Sequence, residues 1–236
     1  MRSITALWVF SMFCSGCHSM VQRTSLSRLD RDRREATPES ETPAFVPKSG
    51  FYISGILPYT DVVASDFDGE TAVAGGGSAE ILPEIDGGFG FGGAIGGRFV
   101  NTAVELNYQS TDHDADFLGI PIDARFEAWN LEVRQFFIRD SRVQPLVLVG
   151  VGLHSLTIED GSVGALGQIR DAKYRGLGAS FGLGLAVHAT RRLSFSLEGG
   201  YRFTSFTRVE GVVDGELEDS ASGSGPFLGL RAGFTF

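Results

Sequence analysis

From Phe51 to Phe236 the chain alternates apolar residues with small or polar ones, in eight segments. Successive side chains of a β-strand point to opposite faces, so each segment reads as a strand with one apolar face. In the first, Phe51, Ile53, Leu57 and Tyr59 share a face. The second sets Phe89, Phe91, Ile95 and Phe99 against Gly88, Gly90, Gly92, Ala94, Gly96 and Arg98. The third sets Val104, Leu106 and Tyr108 against Glu105, Asn107 and Gln109. The fourth sets Trp129, Leu131, Val133 and Phe137 against Asn130, Glu132, Arg134 and Phe136. The fifth opposes Val147, Val149, Val151 and Leu153 to Leu148, Gly150, Gly152 and His154. The sixth opposes Leu177, Phe181, Leu183, Leu185 and Val187 to Gly178, Ser180, Gly182, Gly184 and Ala186. The seventh opposes Phe195, Leu197, Tyr201 and Phe203 to Ser194, Ser196, Glu198, Gly200 and Arg202. In the last, Leu228, Leu230, Ala232, Phe234 and Phe236 oppose Phe227, Gly229, Arg231, Gly233 and Thr235.

Each apolar stripe runs about nine to eleven residues, the length a tilted strand needs to cross a bilayer. Aromatic residues (Tyr59, Tyr108, Trp129, Tyr201, Phe236) sit near the stripe ends, as interfacial girdles require. The connections alternate in length. Short ones run through Val100-Asn101-Thr102, Arg139-Asp140-Ser141-Arg142 and Thr190-Arg191-Arg192. Long loops are expected over residues 60–86, 110–123, 157–174 and 207–225. An even strand number then puts both ends of the barrel at the short-turn, periplasmic side. The pattern predicts an all-β fold, an eight-stranded antiparallel up-and-down transmembrane β-barrel. A soluble up-and-down barrel of the lipocalin kind is the structural rival, with the apolar face turned inward. The glycine-rich polar face argues against it, because Gly is a poor residue for a solvated strand surface.

The last strand, closing on Phe234 and Phe236, resembles the C-terminal strand of bacterial outer-membrane barrels. In that family the terminal aromatic is part of the signal read by the barrel-insertion machinery. The region 51–236 as a whole is similar to the small eight-stranded barrels of the OmpA and OmpX kind. The resemblance implies insertion in the cell outer membrane among lipid and lipopolysaccharide, a plugged lumen and no cofactor. A monomer is the expected state.

Residues 1–17 read as an export signal: Arg2 supplies the positive start and Ile4–Phe13 a short apolar core. Cys14-Ser15-Gly16-Cys17 resembles the lipobox of bacterial lipoproteins, which implies acylation of Cys17, although Cys14 stands where Leu is usual. The alternative is an ordinary signal peptide with Cys17 as a bystander. Either way the mature chain keeps at most one Cys, so no intramolecular disulfide is expected. Residues 18–50 carry charges and prolines (Pro38, Pro43, Pro47) without period, and read as a disordered periplasmic linker.

Composition supports the pattern. The 236 residues include 32 Gly and 19 Phe, a combination suited to tightly packed short strands. A net charge of −9 without a basic block argues against nucleic acid. On the inner face, Glu105, Glu132 and Glu198 face Arg98, Arg134, Arg202 and Arg231. Buried charges must be paired, and eight strands leave an interior just wide enough for side chains. Glu105, Glu132, Arg134, Glu198, Arg202 and Arg231 are therefore expected to close the lumen as one charge network. A small low-conductance porin is the competing reading.

Other motifs carry less. Gly88-Phe89-Gly90-Phe91-Gly92-Gly93 matches a dinucleotide fingerprint formally, but it lies inside a strand and not between strand and helix. A lipid A-modifying enzyme would need a Ser, a His and an acid together. Within residues 51–236 His154-Ser155 is the one close pair, and its members point to opposite faces; His113 is expected in a loop and His188 near a periplasmic turn. No catalysis is expected. The long loops are acidic, through Asp61, Asp66, Asp68, Glu70, Glu80, Glu84, Asp86, Asp112, Asp114, Asp116, Asp214, Glu216, Glu218 and Asp219. Asp66-Phe67-Asp68-Gly69-Glu70 is only a fragment of a Ca²⁺ loop, so a solvated acidic surface is expected.

Overall fold

The computed structural model describes residues 45–61, 71–74, 78–81, 84–117, 120–163, 169–210 and 215–236. These form twelve strands and, among the described residues, no helix. The strands are β1 (Gly50–Thr60), β2 (Thr71–Ala74), β3 (Ser78–Ile81), β4 (Glu84–Ile85), β5 (Gly88–Phe99), β6 (Thr102–Phe117), β7 (Ile120–Phe136), β8 (Val143–Val163), β9 (Ile169–His188), β10 (Leu193–Glu210), β11 (Gly215–Ser222) and β12 (Gly225–Thr235). The export signal, Cys17 and most of the expected linker lie outside the described residues, as do Asp66, Asp68, Glu70 and Asp214.

Eight strands close into a ring in the order β12-β1-β5-β6-β7-β8-β9-β10, and β10 returns to pair β12. Every pairing around the ring is antiparallel. Closure leaves no sheet edge unpaired, the condition for β-structure in hydrocarbon. The remaining strands extend the wall. β4 pairs β6 beyond the end of β5, and β11 pairs β10 beyond the end of β12. β2 joins β11 at Leu217, and β3 joins β2.

β6 to β10 are 16 to 21 residues long, more than a bilayer requires. The expected loops at 110–123, 157–174 and 207–225 are thus in large part β-ribbon continuing the barrel wall. At the other end the turns are short. Val100 and Ile138 adopt left-handed backbone at φ 57° and 58°, the strain of turning a barrel strand in few residues. Residues 45–49, the last of the expected linker, contact these turns. Lys48 N donates to Arg191 O at 2.9 Å, Val100 N donates to Ser49 Oγ at 3.0 Å, and the Arg142 guanidinium lies 5.0 Å from the Phe45 ring.

The apolar stripes face outward. Leu153, Leu177 and Leu183 are 65–67% exposed and Phe89 is 75% exposed. A water-soluble barrel would bury this face; here it forms a continuous belt around the wall, far beyond the apolar patch a soluble monomer tolerates. Aromatic pairs mark its upper border, Tyr59 with Phe89 at 4.7 Å and Tyr108 with Trp129 at 4.8 Å between ring centroids. At the lower border Phe51 and Phe236 meet at 6.0 Å. A closed barrel with such a belt is a membrane-spanning one.

Above the belt the chemistry of the two faces reverses; β7, β8 and β9 keep their parity there, while on β10 a bulge between Phe206 and Arg208 shifts it and turns Val209 inward. The inward residues there are apolar: Phe126, Leu156, Ile158, Tyr174, Phe206 and Val209 form one buried cluster. Their outward neighbours are Arg125, Glu127, Thr157, Lys173 and Arg175.

Candidate functional site

The inner face of the belt carries the polar side chains in layers. Antiparallel pairing of β6 with β7 puts Glu105 directly opposite Glu132. Like charges so placed repel, and two guanidiniums answer them. Arg231 of β12 donates from Nη1 to Glu105 at 2.6 Å and to Ser54 Oγ at 3.2 Å. Arg134 of β7 lies 3.6 Å from Glu105 and 3.7 Å from Glu132, and its Nη2 donates to Glu198 of β10. Arg231 also reaches Glu132 at 3.7 Å and Glu198 at 3.4 Å. The Tyr52 hydroxyl donates to Glu105, and the Ser196 hydroxyl to Glu198. None of these three carboxylates and two guanidiniums is more than 7% exposed. The cluster therefore ties β1, β6, β7, β10 and β12 together across the bore. The void between Tyr52, Arg98, Arg134 and Arg231 measures about 30 Å³, space for about one or two water molecules.

The structure brings together five of the six network residues expected from sequence and sets Arg202 apart. Glu198 and Arg202 both point inward from β10, but they stand four positions apart, about 13 Å along a strand. Arg202 instead donates from Nη2 to Gln109 Oε1 at 2.8 Å, with its guanidinium 5.3 Å from the Phe126 ring and 5.4 Å from that of Phe227. Its neighbourhood is the floor of the upper apolar cluster. Arg98 forms a lower layer of its own. It donates to Gln144 Oε1 at 2.6 Å, lies 3.3 Å from His188 Nε2 and covers the Phe136 ring at 4.2 Å. Gln144 in turn donates to the carbonyls of Ile138 and Arg139 and so braces the strained turn.

Sequence reasoning missed Tyr52, Ser54 and Ser196 as members of the network. Their signal was available, since each has inward parity at the level of the carboxylates on a strand otherwise read for its apolar stripe. His113, expected in a loop, stands within β6 and is buried. Its Nε2 lies 2.7 Å from Thr111 Oγ1 and its Nδ1 lies 2.8 Å from the Asp86 carbonyl. His154 lies 2.7 Å from Thr204 Oγ1 and 3.0 Å from Asn130 Oδ1. Gly178 of the facing strand makes room for that ring, because a Cβ there would meet His154 at 1.9 Å. The Gly88–Gly92 run lies within β5, with Phe89 and Phe91 turned out. Phe234 and Phe236 lie on the outer face, where Phe236 N donates to Phe51 O at 2.9 Å. Among the described residues no group of three or more acidic, His or Cys side chains is placed to hold a metal ion.

No protein-family model and no curated protein matches the sequence. Solved structures do. The outer membrane protein OprG from Pseudomonas aeruginosa is similar over 82% of this chain and 98% of its own, at 15% identity and a TM-score of 0.56. Neisserial surface protein A is similar over 80% of this chain and 98% of its own, at 17% identity and a TM-score of 0.47. At such identities the likeness concerns fold. The fold is that of the small bacterial outer-membrane β-barrels.

Proposed function

We propose that the protein is a closed-lumen barrel of the outer membrane, serving structural or surface-interaction roles and carrying no catalysis of its own. The observation that carries this reading is the network of Glu105, Glu132, Glu198, Arg134 and Arg231, which spans the bore from four strands, is joined to β1 through Tyr52 and Ser54, and borders a void of about 30 Å³. An ion on this path would have to displace paired, desolvated charges, and breaking such a pair costs ~3–5 kcal/mol. The outward apolar belt supports membrane insertion. Lipid and lipopolysaccharide are then its surroundings, and the exposed aromatics Phe234 and Phe236 on the closing strand suit recognition by the insertion machinery. The short turns face the periplasm, and the extended wall faces outside.

Two measurements test this reading. In planar bilayers the unmutated protein shows no large, stable conductance; a steady open channel would overturn the closed lumen. Incubated with lipid A, the purified protein leaves the acyl chains intact. Both ring nitrogens of His113 and His154 are already engaged inside the wall, which leaves neither ready to activate a serine. Release of fatty acid would overturn the non-enzymatic reading.

A further inference from the structure

The wall just above the belt is not uniform in charge. Trp129, Leu153 and Leu177 lie side by side on β7, β8 and β9 and form the upper margin of the apolar surface. Two residues higher, about 7 Å along the strands, Arg175 of β9 lies directly opposite Arg208 of β10. One step further up, Lys173 projects from the same face. A groove of about 600 Å³ runs over these residues, with the apolar side chains as its floor and Lys173, Arg175 and Arg208, together with Glu127 and Glu210, along its upper side. The chain as a whole carries −9. Around the ring, at the same height, outward side chains of β6 (Asp112 and Asp114) and the residues flanking β1 and β5 (Asp61 and Asp86) are acidic.

Two like charges placed directly across an antiparallel pair repel each other. Carboxylates stand close to all three cations, and Arg208 also lies opposite Glu216 of β11. Arg175 pairs with Glu210 at 2.9 Å, but both side chains are about half exposed. Lys173 lies 3.8 Å from Glu127, whose Oε1 already accepts the Tyr108 hydroxyl at 2.8 Å. Exposed pairs of this kind contribute little and exchange readily. A phosphate, carrying more charge and several acceptor oxygens, can engage two guanidiniums at once.

We propose that Lys173, Arg175 and Arg208, set above Trp129, Leu153 and Leu177, form a binding site for the phosphate of an outer-leaflet glycolipid such as lipopolysaccharide. The height of the site selects this occupant. Acyl chains lie along the apolar floor while the phosphorylated headgroup meets the cations, so one molecule satisfies both halves of the groove. Free phosphate satisfies only the upper half. The site rests on the outward orientation of the belt and is independent of whether the lumen conducts.

The test uses the full barrel refolded in detergent, with heat-modifiable gel migration as the check on folding. Fluorescent lipopolysaccharide is bound and displaced by bisphosphorylated lipid A, by dephosphorylated lipid A or by inorganic phosphate. The phosphorylated lipid displaces it at least about tenfold better than the dephosphorylated one, the ratio that one charge-assisted contact supplies. The triple variant Lys173→Gln, Arg175→Gln, Arg208→Gln loses this preference, while the double variant Arg175→Lys, Arg208→Lys keeps most of it. Equal displacement by both lipids, or a triple variant with its preference intact, overturns the proposal. Inorganic phosphate competing as well as lipid A at equal concentration overturns the lipid assignment. Should the triple variant fail to fold, Arg208→Gln alone and the unmutated protein's lipid preference decide the matter.

Discussion

On β7, β8 and β9 the belt and the extension above it keep the same parity, yet their two faces have opposite chemistry. On β7, Asn130, Glu132 and Arg134 point inward within the belt while Trp129, Leu131 and Val133 point out. A few residues earlier, Ala124, Phe126 and Ala128 point inward and Asp123, Arg125 and Glu127 point out. Alternation is set by covalent geometry and on this strand continues through both zones. What changes is the medium outside. Hydrocarbon outside favours apolar residues there and leaves the narrow interior to paired polar groups. Water outside reverses the preference, and the interior becomes an ordinary core. A barrel of this kind is two differently solvated proteins sharing one backbone.

Substitutions at matched positions test this contrast. The largest effect is expected for Glu105→Ala, which leaves Arg134 and Arg231 under-compensated in the belt and costs ~3–5 kcal/mol. Phe126→Ala, inward in the upper zone, is expected to cost ~3–5 kcal/mol through cavity formation. Urea-titrated folding into lipid vesicles measures both, and a cost below about 1 kcal/mol for either removes the corresponding core. Leu183→Arg, outward at mid-belt, should cost ~2–4 kcal/mol in the same assay. Gly178→Ala pushes a methyl against the His154 ring and should cost ~1–3 kcal/mol; wild-type stability there would mean that the ring can move aside. The smallest effect is expected for Glu159→Arg, outward in the upper zone, within about 0.5 kcal/mol. If it were as harmful as Leu183→Arg, the membrane boundary would lie higher on the wall.

The same contrast explains what could be read from sequence. The eight strands and their lipid-facing stripes were legible because each keeps one apolar face for the full width of a bilayer. The upper ribbons were mistaken for loops because the apolar stripe changes face near Glu127, Ser155 and Arg175. A pattern sought on one face ends there, although the strand does not. Glu105, Glu132, Glu198, Arg134 and Arg231 were legible as a group because their parity and height agree. Arg202 has the parity without the height: it stands a layer higher than Glu198, beside Gln109 and the aromatic floor of the upper core. Tyr52 went unrecognised because the first strand was characterised only by its apolar face, Phe51, Ile53, Leu57 and Tyr59, and Tyr52 stands on the other.

The closing pair of strands has a consequence for how the barrel is assembled. The Arg231–Glu105 hydrogen bond joins positions 126 apart in the chain, and the Arg231–Ser54 bond joins positions 177 apart. Contacts of such long range form late, because the loop entropy they must overcome is large. Until β12 docks between β10 and β1, Glu105 lacks its 2.6 Å partner and the inward carboxylates share one fewer cation. A half-assembled sheet therefore holds charge that it cannot neutralise from within. It has reason to stay wet and open until the seam is zipped, and little reason to open again afterwards.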